Sequence, residues 1–165
     1  MSIKNIANKI MNRFRELNSR VDHVVDQKWI QFNLMPQLNP KEQDSVNDAI
    51  ELLERNGFIE IAKRADMVCL VLTQKGFEAI YDDDRENIIQ KIQKAILAQY
   101  AHNNSRVGHT LEQKWITLMY MPTLNPVEQK YVQEAVIELA KKGYICFNQM
   151  GMLVLTEKGY NAIYS

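Results

Sequence analysis

The chain has 165 residues, 46% of them hydrophobic, with 20 basic side chains set against 20 acidic ones. That is enough apolar material for a real core, and it excludes a global electrostatic attraction to nucleic acid or to an anionic membrane. No apolar run reaches the ~18 residues of a membrane span, the N-terminus Met1-Ser2-Ile3 enters helix-like periodicity at once, and Cys69 and Cys146 have no second cysteine or histidine at ligand spacing. The expectation is a cytoplasmic chain with no membrane anchor, no metal, no cofactor and two thiols buried in strands.

Ile3, Ile6, Ile10, Phe14 and Leu17 recur at helical spacing and define one face of an amphipathic first helix. Asn18-Ser19-Arg20-Val21 then suits a helix end followed by a fresh N-cap, so a second helix is expected to carry Val21, Val25, Trp29 and Phe32 inward. Met35-Pro36 stops it, because the residue before a proline leaves helical geometry. Asn39 and Pro40 are the N-cap and first residue of a third helix, with Val46, Ala49, Ile50 and Leu53 on its buried side and Asn56-Gly57 at its close. Two strands come next, Phe58-Ile59-Glu60-Ile61 and Met67 to Leu72, around the turn Lys63-Arg64-Ala65-Asp66. The run ends on Leu72-Thr73-Gln74-Lys75-Gly76.

Past the short acidic stretch Asp82-Asp83-Asp84-Arg85-Glu86, the whole order is written again. Ile88, Ile92, Ile96 and Tyr100 make the first helix, and Val107, Leu111, Trp115 and Leu118 the second. Met121-Pro122, Asn125-Pro126, the row Val132, Ala135, Val136 and Leu139, and Lys142-Gly143 succeed them. The second hairpin, Tyr144 to Phe147 and Met152 to Leu155, turns through the shorter Asn148-Gln149-Met150-Gly151, and Leu155-Thr156-Glu157-Lys158-Gly159 closes the copy. Gln27-Lys28-Trp29-Ile30 returns unchanged as Gln113-Lys114-Trp115-Ile116. A repeat of this length is a duplicated structural unit. The expected domains are 1–82 and 83–165, mainly α with small β-hairpins (α+β), across a junction too short and too charged to be a flexible tether.

Three helices and a hairpin, closed by Leu72-Thr73-Gln74-Lys75-Gly76 in one copy and Leu155-Thr156-Glu157-Lys158-Gly159 in the other, resemble the winged helix-turn-helix superfamily. The closing motif looks like the final wing strand of MarR- and PadR-type transcription regulators. The resemblance covers nearly the whole chain as tandem winged-helix domains. It departs in one place: no clear strand separates the first and second helices, which leaves two strands per sheet. The resemblance implies a transcriptional regulator that binds double-stranded DNA as an intramolecular pseudo-dimer. Its third helix would enter a major groove and its wing would touch phosphate or the minor groove.

The residues fit that task unevenly. The outer face of the first copy's third helix carries Lys41, Asp44, Asn47, Asp48, Glu51 and Glu54, an acidic surface that a phosphate backbone repels. In the second copy Lys130, Gln133, Glu134, Glu138 and Lys141 mix both signs, with Lys130 suited to phosphate and Gln133 to a base edge. Lys63 and Arg64 sit where a wing tip reaches DNA. Arg20, His23 and Gln27 match Arg106, His109 and Gln113 on one side of the expected second helix; arginine and glutamine there suit phosphate, although a repeated residue reflects a shared structural context before a shared ligand. Trp29 and Trp115 belong to the inward stripe, as core rather than base-stacking platforms.

The alternative is a protein-interaction module without DNA binding, as tandem winged helices are in some chromosome-condensation accessory subunits and membrane-sorting complexes. Zero net charge, the acidic third helix and the uncharged second wing favour it, with Leu52, Tyr131 and Ile137 as apolar contact candidates. An enzyme is not expected: the chain has no phosphate-cradling glycine loop, nucleophile elbow, His-Glu-x-x-His or paired-carboxylate motif.

Overall fold

The first helix forms where the apolar spacing places it. In the structure, a computed structural model describing residues 3–165, α1 (Ile3–Glu16) buries Ile6, Ala7, Ile10, Met11 and Phe14, whereas Ile3 and Leu17 at its ends stay exposed. The chain as a whole is α+β with two three-stranded antiparallel sheets, and it divides into two compact units, Met1–Asp82 and Asp83–Ser165.

After α1 the chain departs from the expected second helix and forms a strand. Asn18 turns left-handed (φ 50), and the Ser19 N–H reaches back to the Phe14 carbonyl at 3.0 Å. The pair ends a helix and starts none. Val24 and Val25 then enter β1 (Val24–Asp26), which runs antiparallel to the third strand of the unit, β3 (Met67–Leu72), with Val24 opposite Val71. Two long-range bonds hold the approach: Asp22 N–H donates to the Leu72 carbonyl and Leu72 N–H to the His23 carbonyl, both at 2.9 Å. Valine at four-residue spacing suits a helix on paper, but β-branched neighbours beside an open sheet edge gain a ladder instead. With β2 (Ile59–Arg64), the sheet therefore has three strands in the order β1-β3-β2.

Helical geometry resumes only at α2 (Gln27–Trp29), where the Asp26 side chain accepts from the Trp29 N–H at 3.1 Å. It widens at once into a π-helical turn, Ile30–Leu34, and tightens into a 3-10 turn, Met35–Gln37. Pro36 has no N–H and crowds the carbonyl four residues back, and widening the preceding turn relieves that conflict. The same change of phase turns Phe32 outward, 72% exposed, where a regular helix would have buried it. Asn39 and Glu42 then form a reciprocal capping box at 2.9 and 3.0 Å, opening α3 (Pro40–Gln43). The Gln43 amide ties this turn back by donating to the carbonyls of Met35 and Leu38. The expected third helix is two pieces: α3 breaks at Asp44-Ser45, and α4 (Val46–Arg55) buries Val46, Ala49 and Leu53 against α1.

The hairpin pairs β2 with β3 through a two-residue turn. Ala65 and Asp66 both have positive φ, 49 and 64, the geometry of the turn that best matches strand twist. Alanine gains nothing from that conformation. Ala65→Gly is expected to stabilise the first unit by about 0.5–1 kcal/mol, read as a raised urea midpoint with unchanged slope. Thr73 then caps α5 (Gln74–Ile80), so the closing motif is the start of a helix as well as the end of a strand.

The second unit has the same order. α6 (Arg85–His102) buries Ile88, Ile92, Ile96 and Tyr100, and left-handed Asn104 (φ 53) lies just past its end. β4 (Thr110–Leu111) precedes a π-helical turn, Trp115–Tyr120, and a 3-10 turn, Met121–Thr123. Asn125 and Glu128 repeat the capping box at the start of α7 (Pro126–Gln129), and Gln129 repeats the amide tie to Met121 and Leu124. α8 (Val132–Lys141), β5 (Ile145–Phe147), β6 (Leu153–Leu155) and α9 (Glu157–Ile163) complete it, with strands in the order β4-β6-β5. Cys69 is buried as expected, but Cys146 on the outer face of β5 is exposed.

Candidate functional site

The residues written in both copies serve the backbone first. Arg20 and His23 lie in the loop before β1, not on a helix with Gln27, because the second helix starts later than expected. The Arg20 N–H donates to His23 Nδ1 at 3.1 Å, and the Arg106 N–H to His109 Nδ1 at 3.0 Å. Each histidine thus closes its own loop, and the arginine side chains remain exposed. Gln27 is exposed on the first residue of α2. Its counterpart Gln113 donates from Nε2 to the Gly151 carbonyl at 2.6 Å, fastening the tip of the second hairpin.

Lys63 and Arg64 are exposed at the end of β2. Adjacent strand residues point to opposite faces, so the two cations do not converge on one surface. Lys130 is held within its own unit: its Nζ lies 2.9 Å from one Asp83 oxygen, while the Tyr131 hydroxyl donates to the other at 2.6 Å. The Tyr131 and then the Lys130 bonds keep the Asp83 carboxyl below the ordinary carboxylate range. Arg85 bonds Glu134 and reaches Glu138 at 3.0 Å, so the two acids of α8 are also engaged. Gln133 is exposed on the same helix and faces a groove. In the first unit Asp48, Glu51 and Glu54 are exposed on α4 beside Asn47 and one cation, Arg55, and Lys41 and Asp44 are exposed just before it, so the outer face of α4 is net acidic.

The groove beside Gln133 encloses about 470 Å³ between α8, the π-helical turn and β5. Ile116, Val136, Ile137 and Phe147 form its apolar wall, and Gln113, Gln133 and Lys130 are among its polar residues. Ile137 is 40% and Phe147 46% exposed, and Met150, on the adjoining uncharged turn, is 80% exposed. Phe147 was not among the expected contact residues, although its signal was present. Ile145 and Phe147 share a strand face, but Ile145 is buried whereas Phe147, at the groove, is not. Phe32 and Leu118 were expected inward and are exposed because the π-helical turn shifts their phase. Trp29 and Trp115 are half-buried, the first under the Arg13 guanidinium and the second stacked on Tyr120.

No family model, curated protein or solved structure matches the chain. Among the described residues no helix is long and apolar enough to cross a membrane, and no three His, Cys, Asp or Glu side chains are grouped to hold a metal ion. The groove of the second unit combines an apolar wall with converging amides, which makes it the candidate site.

Proposed function

We propose that the chain is a protein-interaction module of two tandem winged-helix units, without catalytic activity, that docks a partner protein through the groove of the second unit. Support for the winged-helix reading is the order helix, strand, helix-turn-helix and hairpin in each unit, in which β1 and β4 supply the strand that the sequence pattern lacked. The observation that carries the docking reading is the character of the α8 face. Where a DNA reader needs a row of cations, this face offers Ile137, Phe147 and amides around a single lysine, Lys130. The acidic outer face of α4 points the same way.

A second reading, a DNA-binding regulator, is favoured by one feature: Lys63 and Arg64 are exposed beside a wing turn and make no ion pair among the described residues. The two readings separate with a photoreactive benzoylphenylalanine placed at Ile137 or at Lys63. The docking reading expects a protease-sensitive adduct from the Ile137 site, lost when Phe147→Asp is added, and no nuclease-sensitive adduct from the Lys63 site. DNA retardation that weakens steeply with salt and with Lys63→Ala/Arg64→Ala would replace docking by the second reading.

A further inference from the structure

We infer that the partner segment is an extended, acid-flanked peptide that adds as a further strand to the open edge of β5 and seats an apolar side chain between Ile137 and Phe147. The inference rests on the docking reading and names the form of its ligand. In the order β4-β6-β5, β5 pairs on one side only. The Thr156 N–H donates to the Tyr144 carbonyl at 3.3 Å and the Asn148 N–H to the Met152 carbonyl at 3.1 Å. Hydrogen-bonded pairs alternate along an antiparallel ladder, so Cys146 opposite Val154 is the bonded pair between them. The N–H and C=O groups of Ile145 and Phe147 consequently face the open edge, and they make no bond outside the sheet among the described residues.

The first unit supplies an internal comparison. Its outer strand β2 occupies the same place in the sheet and carries Glu60, Lys63 and Arg64, charges of the kind that keep an edge from pairing. β5 reads Ile145-Cys146-Phe147 and its turn Asn148-Gln149-Met150-Gly151, with no charge in either. One edge is guarded and the other is bare. The bare edge also adjoins the apolar groove, so a peptide strand paired with β5 would place one face of its alternating side chains into it.

Charge fixes the class of peptide. Lys130 is the one charged residue lining the groove, and its exposed pair with Asp83 is of the weak, exchangeable kind. Farther along α8, Lys141 is exposed and has no ion pair among the described residues, whereas Glu134 and Glu138 are turned to Arg85. Acidic flanks complement such a rim. The β5 of a second copy fits less well, because Lys141-Lys142-Gly143 on one side and Asn148-Gln149-Met150-Gly151 on the other give it no acidic flank.

The test uses the full chain and a fluorescein-labelled nine-residue peptide that alternates valine and threonine about a central phenylalanine, with glutamate at both ends. Anisotropy is expected to report saturable binding, weakened about tenfold or more when the ends are lysine and lost when the central amides are N-methylated. Ile137→Asp should abolish it, and Cys146→Glu, which installs the residue that the first unit has as Glu60, should weaken it about tenfold. Ile61→Glu in the first unit should leave it unchanged. Bound peptide should slow hydrogen exchange at the Ile145 and Phe147 amides. An acidic peptide that fails to bind, or binds without protecting those two amides, overturns strand addition. If the Ile137 photoprobe still captures a protein, docking survives that failure; if it captures none, both fall.

Discussion

Replacing Gly76 or Gly159 by alanine is expected to destabilise severely the unit that carries it. A Cβ on Gly76 would lie 2.1 Å from the Phe58 carbonyl oxygen and 2.8 Å from Leu72 Cδ1; on Gly159 the same atoms of Tyr144 and Leu155 lie at 2.1 and 2.7 Å. The carbonyl cannot step aside, since it accepts from the Thr73 N–H at 3.2 Å. A clash with fixed backbone exceeds ordinary overpacking, so the loss should be about 3 kcal/mol or more. Gly108→Ala is the control: its φ of +87 strains alanine, but nothing lies within 4 Å, and the loss should be only about 1–2 kcal/mol. Each unit has one tryptophan, Trp29 or Trp115, so urea unfolding by fluorescence in Trp115→Phe and Trp29→Phe backgrounds reads each unit separately. A loss near 1 kcal/mol in both variants would show that α5 and α9 do not seat against the hairpin as described.

The same contact explains the repeated closing motif. Thr73 caps α5 by accepting from the Gly76 N–H, its hydroxyl donates to the Gly57 carbonyl at 2.5 Å, and Lys75 lies over the Phe58 ring at 5.4 Å. Thr156, Gly159, Lys158 and Tyr144 repeat the arrangement. The sequence announced this motif by writing it twice, but only the packing of a helix start onto a carbonyl says why. Legibility tracked the range of the interaction. α1, α6, the asparagine caps and both hairpins depend on neighbours within a few residues, and their patterns could be read directly. β1 and β4 depend on β3 and β6 far along the chain, and Val21, Val25 and Trp29 imitate a helix until that edge is present.

The candidate site was less legible, for a related reason. A residue type states what a side chain can do, whereas its partner decides what it does. Lys130 qualified as a phosphate ligand by type, and Asp83 holds it; Gln113 qualified as a base or phosphate contact, and the Gly151 carbonyl takes its amide. Repetition marked Arg20, His23, Arg106 and His109, and the part that repeats is a histidine nitrogen closing a backbone turn. Phe147 and Met150 have no counterpart of that kind to mark them, yet they are exposed apolar side chains beside the uncharged edge of β5. Differences between the copies carry more of the proposed function than their identities do.

Alkaline solution should destabilise both units, each through a buried tyrosine. The Tyr81 hydroxyl donates to the Ser19 carbonyl at 2.8 Å, and burial pushes its pKa up to about 12 against the lowering pull of Arg20 and Arg15. The Tyr100 hydroxyl donates to the Leu153 carbonyl at 2.6 Å, and burial pushes it up as well. A phenol of ordinary pKa ~10 in the unfolded chain gives up its proton first. The stabilisation is therefore whole below pH ~10 and is lost as pH rises toward the folded value, by about 1.4 kcal/mol per pH unit for each tyrosine. Tyr81→Phe should weaken the first unit by about 1 kcal/mol at pH 7, where it loses a buried hydrogen bond. The variant no longer titrates there, so its stability curve should cross the parent's within about one unit above pH 10 and lie above it beyond. Tyr100→Phe should do the same to the second unit alone, as read from Trp115. Parallel curves for parent and variant from pH 7 to pH 11 would mean that these hydroxyls reach solvent in the folded chain, and the packing of α1 and α6 over their sheets would need to be redrawn.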